Sequence, residues 1–193
     1  MILARASATI GGMDKLSDLT RRLENLIRGG TIAEIDQNAP LCRVKSGGLV
    51  SAWLPFFAPR AGTDSEWDPP SIGEQCVILS PSGDPATGFV LVGIYSNQFP
   101  APDTSLTRHR RKYRDGAVID YDTDTHTLTA TLPSGGKVDV VAPGGMSIVG
   151  NLDVDGLINS TQDVTAGPQK ISLINHRTSG VQRGGGVSDG PVP

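Results

Sequence analysis

Long apolar runs are missing from this chain of 193 residues. The longest, Phe89-Val90-Leu91-Val92-Gly93-Ile94-Tyr95, suits one buried strand, whereas a membrane-crossing helix takes about 20 apolar residues. The N-terminus, Met-Ile-Leu-Ala-Arg-Ala-Ser, has no basic segment followed by an apolar core, so no secretory signal is expected. Aromatics are scarce, at 5%, which argues against one large core. Cysteine is limited to Cys42 and Cys76, without C-x-x-C spacing. Each sits in an apolar strand-like run and reads as a buried free thiol. Excess positive charge is absent too. The formal net charge is −3 at pH 7, which sets the chain apart from general nucleic-acid binders. The one basic cluster, Arg108-His109-Arg110-Arg111-Lys112 with Arg114, reads as a solvated linker. No phosphate-binding glycine loop, HExxH or Ser-His-Asp spacing occurs, and Asp120 and Asp122 read as solvent-facing rather than catalytic. No enzyme is expected.

Glycine and proline are plentiful: 24 and 14 residues, interleaved with β-branched ones. That pattern predicts a turn-rich β protein rather than disorder. With so little apolar mass, two small modules or a core completed by oligomerisation fit better than one domain.

Five stretches follow along the chain. Residues 1–30 contain a short helix, expected over 13–28 and punctuated by Gly11-Gly12, Asp14 and Gly29-Gly30. Its Leu16, Leu19, Leu23 and Leu26 recur at 3-4-3 spacing, the a/d seam of a coiled coil, and pack either on their own domain or on copies of themselves. Residues 31–96 carry strand candidates Thr31–Asp36, Leu41–Lys45, Val50–Pro55, Gln75–Ser80 and Phe89–Tyr95. Five short strands suggest a small barrel of the OB type. Trp53, Phe56, Phe57 and Trp67 cluster nearby in sequence without interleaved basic residues, which favours a core or subunit-contact role over base stacking. Residues 97–116 read as a linker.

Residues 117–166 alternate in short segments: Val118–Asp122, Thr125–Leu132, Lys137–Val141, Met146–Val149, Leu152–Val154 and Leu157–Asn159. Leu128, Ala130 and Leu132 share one face. Further on the inward set is Ile148, Leu152, Val154 and Ile158, with Gly150 and Gly156 in the same phase. These side chains are few and small, and no helix follows to cover them. One copy cannot bury this face, whereas three copies wound round one axis can. A monomeric β-sandwich with the first domain is the alternative on pattern alone. The remainder ends in a Gly-rich stretch that reads as a flexible terminus.

Several motifs go further. They are Val50-Ser51-Ala52-Trp53-Leu54-Pro55, Pro59-Arg60-Ala61-Gly62, Trp67-Asp68-Pro69-Pro70-Ser71-Ile72-Gly73-Glu74-Gln75, Leu79-Ser80-Pro81-Ser82-Gly83-Asp84 and Asp115-Gly116-Ala117-Val118-Ile119-Asp120-Tyr121-Asp122. Ile171-Ser172-Leu173 with His176, then Gly180-Val181-Gln182 and Gly184-Gly185-Gly186, completes the set. With the order of helix, barrel, Pro-rich segment and β-prism, the chain resembles the baseplate assembly protein V family, the central membrane-piercing spikes of contractile-tailed phages such as the Mu-like ones. The resemblance implies a mainly β homotrimer: an N-terminal helix, an OB-like barrel, and an intertwined triple-stranded β-helix with its shaft over 117–170 and its tip over 171–193. It implies a virion protein at the tail tip, assembled in the host cytoplasm, that plugs the tail tube. Its partners would be the tail hub, tube and baseplate and, transiently, the host outer membrane, with no nucleic acid. Leu16, Leu19, Leu23 and Leu26 would then contact the hub or the other protomers. It also implies one iron ion per trimer at the tip, held by an H-x-H pair from each chain. Here the tripeptide is His176-Arg177-Thr178, so His176 stands alone and Thr178 replaces the second imidazole. Three imidazoles would remain, a weaker and less selective set. A spike of a contractile bacteriocin or secretion machine, or an OB module binding nucleic acid or glycan on a trimeric stalk, are the alternatives.

Overall fold

The computed structural model describes residues 3–175, with side chains from Asp14 onward. The chain divides into two units between Lys137 and Val138.

The first unit opens with α1, Leu3–Leu26. The helix begins earlier than its punctuation suggested. It runs through Gly11-Gly12, whose cost of about 1 kcal/mol each does not break a helix that continues into a good helix-forming sequence. Nor do Gly29-Gly30 stop it. Helix gives way to strand at Ile27 without a loop, and both glycines lie inside β1, Ile27–Ile35. Gly30 is glycine for a packing reason: a Cβ there would meet Val44 Cγ1 at 2.5 Å and the Lys45 carbonyl oxygen at 2.6 Å across the sheet.

The strands β2 (Leu41–Ser46), β3 (Leu49–Val50), β4 (Leu54–Pro55), β5 (Gln75–Leu79) and β6 (Phe89–Ile94) complete the barrel. The ladder runs β3-β2-β1-β5-β6, with β4 also on β2. A parallel bridge between Phe56 and Val90 joins the segment after β4 to β6 and closes the ring. There the Phe57 N–H donates to the Val90 carbonyl at 3.0 Å. β2 turns into β3 through Gly47-Gly48, a two-residue hairpin loop with Gly47 at φ +61°. The strand expected over Val50–Pro55 is interrupted, because the Ser51 hydroxyl takes the place of a ladder partner and accepts from the Val44 N–H at 2.9 Å. Inside the ring sit Ile32, Cys42, Val44, Leu54, Cys76, Ile78 and Val90, at most 2% exposed, with Ile35, Phe56 and Val92 against them. Both cysteines are buried and free, as expected.

Beyond the barrel, β7 (Arg108–Lys112), β8 (Val118–Asp122) and β9 (Thr127–Thr131) form a separate antiparallel sheet. The basic cluster is therefore a strand and not part of a solvated linker. Its alternating cations are matched by alternating acids on the neighbouring strand, which the charge run alone does not reveal.

In the second unit, β10 (Thr165–Ala166) pairs with β11 (Ile171–Ser172). The segments expected as strands at Lys137–Val141, Met146–Val149, Leu152–Val154 and Leu157–Asn159 have no strand ladder among the described residues.

Candidate functional site

The surfaces that stand out are apolar faces without a cover and one ion-paired sheet.

α1 meets the barrel through its polar side. The Ser80 N–H donates to the Leu26 carbonyl at 2.8 Å. Gly83 lies so close to the helix that a Cβ there would sit 2.4 Å from the Arg22 carbonyl oxygen. Asn25 is buried and accepts from Arg28 Nη1 at 2.9 Å. Asp18 binds Arg21 and Arg22 along the helix, which holds its carboxyl below the usual carboxylate value. The leucine seam points elsewhere: Leu16 is 65% exposed, Leu19 54%, Leu23 59% and Leu26 38%. Packing on the chain's own domain does not account for it.

The barrel's outer face is also apolar along three strands. Cross-strand register places Ile27, Leu79 and Phe89 in one row and Gly29, Val77 and Leu91 in the next. Ile27, Phe89 and Leu91 are exposed, and Phe57 lies 6.3 Å from Phe89 between ring centres. The aromatics of the 53–67 region divide. Phe56 packs on the core and touches Trp67, whereas Trp53, Phe57 and Trp67 are exposed. Arg43 lies 5.8 Å over the Trp53 ring but is already paired with Glu34 at 2.9 Å. The sequence missed the outer rows because alternation marks which residues share a face without saying that both faces are apolar.

The β7–β8–β9 sheet has two contrasting faces. Register rows Arg108–Asp122–Thr127 and Arg110–Asp120–Thr129 make one polar face, and His109–Tyr121–Leu128 and Arg111–Ile119–Ala130 make the other. Arg110 holds Asp120 by two hydrogen bonds, of 2.8 and 2.7 Å. Asp103 accepts from Arg108 at 3.0 Å and lies 3.3 Å from Arg110. Asp120 and Asp122 are thus ion-paired and largely covered, not simply solvent-facing. The Arg110 guanidinium holds the Asp120 carboxyl below its ordinary value, and a backbone N–H from Asp124 does the same for Asp122. Every charge in this cluster has a partner, an arrangement suited to stiffness rather than to proton transfer.

In the second unit Ile148, Leu152, Val154 and Ile158 are 47–71% exposed, and Val149 and Leu157, of opposite phase, are above 90%. None belongs to a core among the described residues. His109 and His126 are exposed, as expected for surface residues. His176 and Thr178 lie outside the described residues. Among the described residues no group of three or more His, Cys, Asp or Glu side chains could hold a metal ion, and no helix is long and apolar enough to cross a membrane.

Residues 28–95, spanning the barrel from β1 to just past β6, match the family of the type VI secretion system/phage-baseplate injector OB domain. Over 173 residues the chain is 38% identical to the spike protein of Escherichia phage P2, covering 88% of this chain and 80% of that protein. The chain belongs to the phage spike protein family. It is a structural component of the virion, at the tail baseplate, built on a mainly β fold with an OB domain. The exposed apolar faces of this spike are larger than scattered surface hydrophobics, the kind of feature that marks contact surfaces.

Proposed function

We propose that the spike works as a homotrimer whose shaft starts later than the expected 117–170: β8 and β9 pair within their own chain, and the segment beyond Lys137 is wound with two further copies into an intertwined triple-stranded β-helix, with 171–193 forming its tip. One observation carries this reading. The inward set Ile148, Leu152, Val154 and Ile158 keeps a single phase with Gly150 and Gly156 yet finds neither core nor ladder among the described residues of its own chain.

In this reading the barrels dock on the tail hub and tube and plug the channel. Contraction drives the narrow shaft through the host outer membrane. The work is mechanical, no reaction is catalysed, and nucleic acid is not a partner. An iron ion at the tip rests on the family resemblance, with only His176 of the pair retained. The trimer is held by apolar and main-chain contacts, and metal is not needed for it. Light scattering on the full chain tests the proposal. A mass of about 60 kDa, unchanged by a chelator, is expected for a closed three-chain ring. A mass near 20 kDa would overturn it.

A further inference from the structure

The helix α1 wears its amphipathic pattern inside out. Its polar side, with Arg22 and Asn25, is the side fixed to the barrel, and its leucines face away. In a monomer this wastes the apolar stripe and leaves four large side chains in water. A helix of this length gains most of its stability from burying such a stripe.

We propose that the three α1 helices of the spike pack on one another as a parallel, in-register leucine bundle on the three-fold axis, with Leu16 and Leu23 at a and Leu19 and Leu26 at d. The proposal rests on the trimer reading and names the occupant of this face: two further copies of the same helix. Three observations support copies over a foreign surface. First, 3-4-3 spacing is what knobs-into-holes contact between helices requires, whereas docking on a flat partner needs no heptad. Second, α1 enters β1 directly and is fixed at Ser80 and Gly83, so three barrels set round an axis carry three helices with the same direction and register. Third, the charges do not oppose assembly. Beside the seam at g stand Lys15 and Arg22; Thr20, the e residue that Lys15 would face on a neighbour, is uncharged, and Arg22 is held back on its own helix by Asp18 at 2.7 Å.

Cysteine cross-linking in the full-length protein tests the bundle. The native thiols, Cys42 and Cys76, are buried and stay silent. Leu19→Cys places a thiol at d, where neighbouring chains bring Cβ atoms close enough for a disulfide, and Arg21→Cys places one on the outer face. Mild oxidation is expected to convert Leu19→Cys, but not Arg21→Cys, into a covalent pair of about 40 kDa on a non-reducing gel. If the Leu19→Cys protein has the mass of a trimer yet does not cross-link, or if both variants cross-link equally, the helices do not form the bundle and the seam serves another partner; the trimer itself stands. If the protein is a monomer of about 20 kDa by light scattering, both readings fall.

Discussion

Arg110 and Asp120 stand directly opposite each other on β7 and β8 and are joined by two hydrogen bonds, at 2.8 and 2.7 Å. The pair is the centre of a cluster with Asp103, Arg108 and Asp122. It turns a strand of four basic residues, an awkward sheet member alone, into one half of a matched ladder.

The three carboxyls of this cluster, Asp103, Asp120 and Asp122, all titrate below the ordinary value of 3.8. A carboxylate whose folded pKa is depressed adds stability that is fully present above its unfolded pKa and is lost as pH falls through the folded one. Unfolding midpoints are therefore expected to hold steady from neutral pH down to about pH 5 and to fall below about pH 4. Arg110→Ala should flatten that acid limb, because Asp120 then returns towards its ordinary pKa. An unchanged acid limb in Arg110→Ala would sink the assignment.

Gly83 joins helix to barrel. Its φ of +71° and its approach to the Arg22 backbone leave no room for a Cβ. Gly83→Ala should cost about 1–3 kcal/mol or more, with faster proteolysis of α1. Gly29 has open space where a Cβ would sit, so Gly29→Ala should be neutral within about 1 kcal/mol. Denaturant midpoints compare the two, and equal effects would show that the joint is looser than its geometry.

Cys42 and Cys76 are fully buried, and burial pushes the thiols up to about 11 and about 12. At pH 8 neither carries appreciable thiolate. A chromogenic disulfide reagent should find no thiol in the native protein and two after denaturation. Two rapid equivalents in the native state would mean that the barrel opens on the time scale of the assay.

Leu152 separates the trimeric shaft from a lone chain. In one copy it is 66% exposed, so Leu152→Asp would cost a monomer almost nothing. On a packed axis three carboxylates would meet. Light scattering should then record loss of the trimer or a marked fall in its thermal midpoint. Val149→Asp, 99% exposed and of opposite phase, should leave both unchanged. Equal behaviour of the two variants would count against the inward set.

Much of this was legible in the sequence because it is local. The barrel strands announce themselves by apolar alternation between turn residues, and Cys42 and Cys76 fall inside it as their apolar neighbours imply. The leucine seam was visible as a period. Its direction was not, since a period does not say which side of a helix the barrel will take. Gly29-Gly30 misled for a related reason. Glycine marks a helix end and a close cross-strand contact alike, and only the approach of Val44 decides between them. The Arg110–Asp120 ladder escaped because its halves lie on different strands, each reading as an ordinary solvated run until register brings them together. The shaft segments are the opposite case. Their alternation is plain, but a ladder needs a partner strand, and the described residues offer none to Met146–Val149 or Leu152–Val154.

The passage from Leu26 into Ile27 without an intervening loop has a consequence for how this gene can vary. Each residue of helix advances the side-chain direction by about 100°. One inserted or deleted residue between Leu23 and Ile27 would swing the leucines away from their heading relative to the barrel, whereas seven would restore it to within about 20°. Single-residue length changes at this junction should therefore be poorly tolerated and a change of seven much better, while the hairpin tip at Gly47-Gly48 is free to lengthen.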